Sequence, residues 1–144
     1  MIKNTSKTFD SWVTDCDYCP SGLQIVGSLG DDLVGAIEVF SSPSALNKFL
    51  RKEWSQKLLE APPRRRIGYL GGLEIPEAHR RMGFGRIVVQ SMVRTSKDSK
   101  LSGIFLHSTP MALPFWRSLG WSGALIGHLD EYPDYFNFPL WRAI

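Results

Sequence analysis

No run of apolar residues in this chain approaches the ~20 needed to cross a bilayer as a helix, which argues against a membrane-spanning protein. The opening residues, MIKNTSKTFDSW, have no apolar core after their early lysines. No secretory leader is expected from them, and the expected compartment is the cytoplasm. Cysteine is scarce, with only Cys16 and Cys19 in "CDYC". That pair is half of a tetrahedral zinc set, and His107 and His128 lie in unrelated contexts, so no metal site is expected. Pro20 follows the pair where a redox motif would start a helix, and the expectation is two reduced thiols. Charge of one sign is also lacking: 17 Lys and Arg against 14 Asp and Glu leave a net +3. That balance favours an anionic ligand and falls short of a nucleic-acid surface. The run Arg64-Arg65-Arg66 reads as a solvated face, and few aromatics lie near it to stack on bases.

What remains is ordinary globular composition, 43% hydrophobic and 22% charged, without repeats, linkers or low-complexity tracts. The 144 residues suit one domain, 1–144, around one core. The first twenty residues show little periodicity and read as an irregular or helical lead-in. "LQIVGSLGDDLVGAIEVF" reads as a hairpin of Leu23–Leu29 and Leu33–Phe40, with Gly30-Asp31-Asp32 as the turn. A helix follows, capped by Ser42 or Ser44. Leu46, Phe49, Leu50, Trp54 and Leu58 recur at helical spacing before Pro62-Pro63 ends it. "RIGYLGGLEI", Arg66 to Ile75, reads as a strand whose three glycines suggest a bulge or the close approach of a ligand. Ile87, Val88, Val89 and Met92 would form the core face of a helix running to about Ser96. "LSGIFLHS" is the next strand. Thr109 and Pro110 suit a helix start, Gly120 suits its end, and two last strands flank the acidic loop Asp130–Asp134. The order is β-β-α-β-α-β-α-β-β, an α/β sandwich.

The segment HRRMGFGR places crowded arginines and two glycines where the strand gives way to the helix. A helix start aims free N–H groups and the positive end of the dipole at one point, and glycine lets an anion come close to the backbone. The Walker pattern is missing, because no Gly-Lys-Ser/Thr follows. The dinucleotide fingerprint also fails, because Val88 stands where its third glycine belongs.

Two separated motifs resemble those of the GNAT superfamily, the general-control-related N-acetyltransferases. "PEAHRRMGFGR" is similar to its acetyl-CoA signature, Gln/Arg-x-x-Gly-x-Gly/Ala, with Arg80, Gly83 and Gly85 in register. "ALPFWRSLGW" is similar to its later Ala-x-x-Phe-Tyr-x-x-x-Gly-Phe, one helix and one strand further on, and the hairpin with its Val-Gly pair fits upstream. The resemblance covers most of residues 21–124. It implies a splayed mixed β-sheet flanked by helices, with acetyl-CoA as acyl donor. The donor's pantetheine would pair with the backbone of Leu73 and Ile75. Its pyrophosphate would take N–H groups across Arg81, Met82, Gly83, Phe84, Gly85 and Arg86, with Arg80 adding charge. Thr109 and Trp116 would complete the cofactor wall.

The family pattern is broken in four places. The Glu often found early on the strand before the phosphate loop is replaced by Tyr69, Gly71 or Gly72, so Glu74 becomes the expected catalytic base and Glu38 the second choice. The Tyr that returns a proton to the thiolate is replaced by Trp116, whose indole only donates. Thr109 stands in place of a cofactor-contacting Asn. Finally, only about twenty residues precede the hairpin, where the family has a strand and two helices. The expected activity is direct acetyl transfer to a primary amine, and the alternative is an acyl-CoA-binding regulatory module with little catalysis. Asp130, Glu131 and Asp134 suggest a cationic acceptor. No membrane partner is expected and nucleic acid is disfavoured; the oligomeric state, a homodimer included, is left open.

Overall fold

The structure is a computed structural model that describes residues 9–50, 65–75, 83–123 and 138–144. Its strands are β1 (Phe9–Asp15), β2 (Leu23–Leu29), β3 (Asp32–Phe40), β4 (Ile67–Leu73), β5 (Gly103–Ser108), β6 (Ser122–Gly123) and β7 (Phe138–Ala143). They form one sheet in the order β1-β2-β3-β4-β5-β7-β6. Every neighbouring pair is antiparallel except β4 and β5, which run parallel. The helices are α1 (Pro43–Leu50), α2 (Phe84–Asp98) and α3 (Leu113–Ser118), the last preceded by a 3₁₀ turn at Pro110–Ala112. The expected splayed mixed sheet with flanking helices is therefore borne out.

The lead-in is a correction, because residues 9–15 form an edge strand. Apolar alternation missed it for a physical reason: hydroxyl groups anchor it as much as apolar side chains. Ser11 Oγ donates to the carbonyl of Ser91 at 2.8 Å and also meets the hydroxyls of Ser91 and Thr95. Phe9 supplies the apolar contact, its ring centroid 5.2 Å from that of Phe84. The cysteines are a second correction. Cys16 and Cys19 are joined in a disulfide inside a turn closed by Cys16 N–H to Gly22 O and Gly22 N–H to Cys19 O. That turn brings the two Cα atoms to 5.4 Å, within bridging range, and Pro20 fits it without starting a helix.

Successive strand residues point to opposite faces, so each face has its own core. Beneath α2 lie Ile25, Ile37, Val39, Leu70, Ile104, Leu106 and Leu140, packed on Val88, Val89, Met92 and Val93 of the helix. Ile87 is 40% exposed and lies off this stripe, contrary to the expectation for it. Trp116, Leu119 and Trp121 close the same core from α3 and the segment after it. On the other face Phe40, Ile67, Phe105 and Trp141 gather with Leu46 of α1. Ser42 caps α1, accepting the N–H of Ala45 at 3.1 Å. The side chains of Phe49 and Leu50, and residues 51–64 with Trp54, Leu58 and the proline pair, lie outside the described residues. The acidic loop does as well.

Candidate active site

The geometry of the site begins with how β4 is held. It pairs with β3 over most of its length, from Phe40↔Ile67 to Gly35↔Leu73. With β5 it pairs only at Gly68↔Ile104 and Tyr69↔Phe105, and beyond Tyr69 the two parallel strands part. The register against β3 slips between Ile37↔Leu70 and Ala36↔Gly72, leaving Gly71 as the extra residue of a bulge. A bulge bends its strand, and this one sits where the fork opens. It is the role the sequence suggested for a glycine inside this strand.

Beside the end of β4 lies a cavity of about 350 Å³ lined by Leu73, Ile75, Gly83, Phe84, Gly85, Arg86 and Phe115. Gly83 caps α2 in the left-handed region at φ 79°, a conformation that suits glycine. It turns the chain into α2, whose first-turn residues Phe84, Gly85 and Arg86 line the cavity and whose first N–H groups have no partner within the helix. A β-carbon at Gly85 would stand 3.5 Å from Phe115 Cζ and 3.6 Å from Ile75 Cγ1, so any larger side chain would fill the space between them. Arg86 Nη2 donates to Ser118 Oγ at 2.9 Å, which ties a cation to the same rim. A helix start, a glycine-lined wall and an arginine suit an anion with an apolar arm. The residues present therefore fit the pyrophosphate and pantetheine of a coenzyme A thioester.

Six of the expected cofactor residues thus meet in one place: Leu73, Ile75, Gly83, Phe84, Gly85 and Arg86. Arg80, Arg81 and Met82 lie outside the described residues. Thr109 is exposed at the head of the 3₁₀ turn, with no capping bond from its hydroxyl. Trp116 is buried in the core between Phe115 and Trp121, at ring-centroid separations of 4.9 and 5.3 Å. The neighbouring Phe115 lines the cavity. Adjacent residues of a short helix point to different sides, and the sequence pattern could not say which one faces the ligand.

Leu73 is shared with a second, open groove of about 440 Å³, which Glu74, Gly72, Ala36, Gln24 and Tyr18 also line. Glu74 is exposed there, its N–H bonded to Val34 O at 2.7 Å. Glu38 stands on the same face, directly opposite Tyr69 and Gln24 in the ladders. A β-carbon at Gly71 would lie 3.4 Å from Glu38 Oε1, which places the carboxyl group over the bulge. Burial raises the Glu38 pKa above the ordinary carboxylate value. Tyr69 is raised to about 12, first by burial and then by the nearby Glu38 charge. Its Oη shares a hydrogen bond of 2.7 Å with His107 Nδ1. The sequence reading passed over Tyr69 and His107 as site residues. The available signal was parity: with Tyr69 opposite Phe105, His107 two residues on falls on the same face of the adjacent strand.

A mixed sheet forked at a parallel pair, with a glycine-turned helix start beside the end of β4, defines an α/β domain with a cavity suited to an anion that carries an apolar arm. The chain belongs to the acetyltransferase (GNAT) family, whose sequence pattern matches residues 4–121. No curated protein sequence matches the chain. Solved structures share its fold at low identity. Escherichia coli ElaA is 16% identical with a TM-score of 0.52, over 88% of this chain and 74% of that one. Arabidopsis thaliana Naa50, in complex with the bisubstrate analogue CoA-Ac-MVNAL, is 14% identical with a TM-score of 0.53, over 84% and 72%. The NatC complex bound to Gag peptide and CoA is 15% identical with a TM-score of 0.52, over 84% and 70%. Among the described residues no helix is long and apolar enough to cross a membrane.

Proposed function

We propose that this chain transfers the acetyl group of acetyl-CoA directly to a primary amine. The observation that carries the reading is the cavity between the end of β4 and the glycine-turned start of α2, whose lining residue Leu73 also borders the open groove. Acetyl-CoA supplies the activated thioester carbonyl. In this reading the backbone of Leu73 and Ile75 holds its pantetheine arm. The α2 start, with Gly83, Phe84, Gly85 and Arg86, holds its pyrophosphate, assisted by Arg80, Arg81 and Met82. Phe115 takes the wall position that the family resemblance gave to Trp116.

Two carboxyl groups border the acceptor side and divide the work. Glu74, exposed on the groove, attracts the incoming ammonium ion. Glu38 is the better base, because burial moves its pKa toward the working pH, where general bases are most effective. It removes the first amine proton and passes it to solvent. The absence of a family-type tyrosine at Trp116 favours a second reading, an acyl-CoA-binding module with little turnover.

The test is release of free thiol from acetyl-CoA with a panel of primary amines: a polyamine, an amino sugar, a lysine peptide and a peptide with a free α-amine. The transferase reading expects thiol release with at least one amine, matched by acetylated product. Binding of acetyl-CoA without any amine-dependent release would establish the second reading instead.

A further inference from the structure

With the family's usual tyrosine replaced by Trp116, the proton that must reach the departing sulfur has no evident source in α3. Trp116 stands in the α2-side core, against Phe115 and Trp121, and indole is not an acid of useful strength. Another hydroxyl stands at the fork. Tyr69 occupies the last register at which β4 and β5 still pair, its ring over Phe105 at 6.1 Å and half-buried. Behind it His107, on the diverging strand, holds the hydroxyl through Nδ1 at 2.7 Å and packs edge-on to both Tyr69 and Phe105. The pair therefore spans the two arms of the fork, one residue on each.

We infer that Tyr69 and His107 form a proton relay that carries the second amine proton to the leaving sulfur, a catalytic role for Tyr69 and a positioning and proton-holding role for His107. The inference rests on the transferase reading above. As the C–N bond forms, the amine N–H proton passes to Tyr69 Oη while the tyrosine's own proton passes to His107 Nδ1. As the C–S bond breaks, its electron pair leaves on sulfur. The relay then runs backwards, His107 to Tyr69 to sulfur, so the products are the amide and the free thiol, and both side chains end as they began. The raised pKa of Tyr69 suits this order, because a phenol held at about 12 does not wait as phenolate at neutral pH. It gives up a proton as it receives one. Imidazole is the side chain that takes and returns protons near pH 7, which fits His107 for the far end. Glu38 stays outside this exchange, having already neutralised the amine.

The test compares the parent with Tyr69→Phe, His107→Gln and the double variant, using acetyl-CoA and the best amine of the panel. Glutamine can still accept the tyrosine's hydrogen bond but cannot hold its proton. Each single variant should lower kcat about 10²-fold with KM for acetyl-CoA unchanged, and the double variant should be no slower than the slower single, since members of one unit fail together. A readout independent of turnover is the ¹⁵N spectrum of the imidazoles at pH 7 without acetyl-CoA. The His107 nitrogens should shift in Tyr69→Phe and stay in place in Glu74→Gln. A near-parent kcat in Tyr69→Phe, losses that multiply in the double variant, or His107 nitrogens indifferent to Tyr69→Phe would each overturn the relay. A parent chain that binds acetyl-CoA yet releases no thiol with any amine overturns the transferase reading itself, and the relay with it.

Discussion

The sheet face under α2 carries Ile25, Ile37, Val39, Leu70, Ile104 and Leu140, all buried, in rows that continue from strand to strand. The other face carries Phe40, Ile67, Phe105 and Trp141 at one end, then Gln24, Glu38, Tyr69 and His107 where the strands begin to part. On the first face each side chain is accounted for by burial and packing. On the second, burial raises the pKa of Glu38 and of Tyr69, whose hydroxyl is held by His107. Ionisable groups half-buried on a sheet depart from the usual pattern, and such departures concentrate at functional sites. The α2 face is apolar throughout its core rows, whereas the other face joins an apolar cluster to a group of ionisable side chains.

Three substitutions sharpen that contrast, and the largest effect belongs to the α2 face. Met92 is fully buried, and its side chain fills the space that β-carbons at Gly27 and Gly35 would otherwise take. Met92→Ala should lower unfolding free energy by about 2–5 kcal/mol in urea titrations while leaving turnover per folded molecule near the parent's. Glu38→Gln should do the reverse, lowering kcat about 10²-fold. Its stability effect has a definite sign. The folded-state pKa of Glu38 is raised above the unfolded value of 4.5, so the folded state binds the proton more tightly. Stability from this group is complete below that unfolded value and is lost as pH rises through the raised folded value. Glutamine stays neutral, so at pH 8 the variant should melt no lower than the parent. A melting temperature that falls together with the rate would make Glu38 a structural residue and break the contrast. The smallest effect belongs to Ile87, which lies off the buried stripe. Ile87→Ala should stay within about 0.5 kcal/mol of the parent.

The sequence revealed the fold wherever one apolar face repeats at a clear period. The β2–β3 hairpin, α2 and β5 follow that rule, and their limits fall within a few residues of the expected ones. It failed at β1, which is held by Ser11 hydroxyl contacts and which alternation cannot register. It also failed at Cys16 and Cys19, because a disulfide depends on a turn geometry that spacing alone does not specify. The glycine-turned start of α2 was legible, and Gly83, Phe84, Gly85 and Arg86 line one cavity with Leu73 and Ile75. The Tyr69–His107 pair was not, because the two residues are 38 apart and meet only once β4 and β5 are placed side by side. The swap of Trp116 for Phe115 at the cavity wall turns on which way a short helix is rotated.

The central claim is that the fork and the start of α2 hold acetyl-CoA, and calorimetric titration of acetyl-CoA into the parent and Gly85→Val tests it most directly. Gly85 is the position to change, because a β-carbon there meets Phe115 and Ile75 at ordinary contact distance, so the fold is spared, while the valine methyls would enter the cavity. The account predicts one acetyl-CoA bound per parent chain and an affinity at least roughly tenfold weaker, about 1.4 kcal/mol, in a Gly85→Val chain that melts like the parent. Equal affinities in the two chains would contradict it, and would remove the cavity at Leu73, Gly83 and Arg86 from the binding of the cofactor.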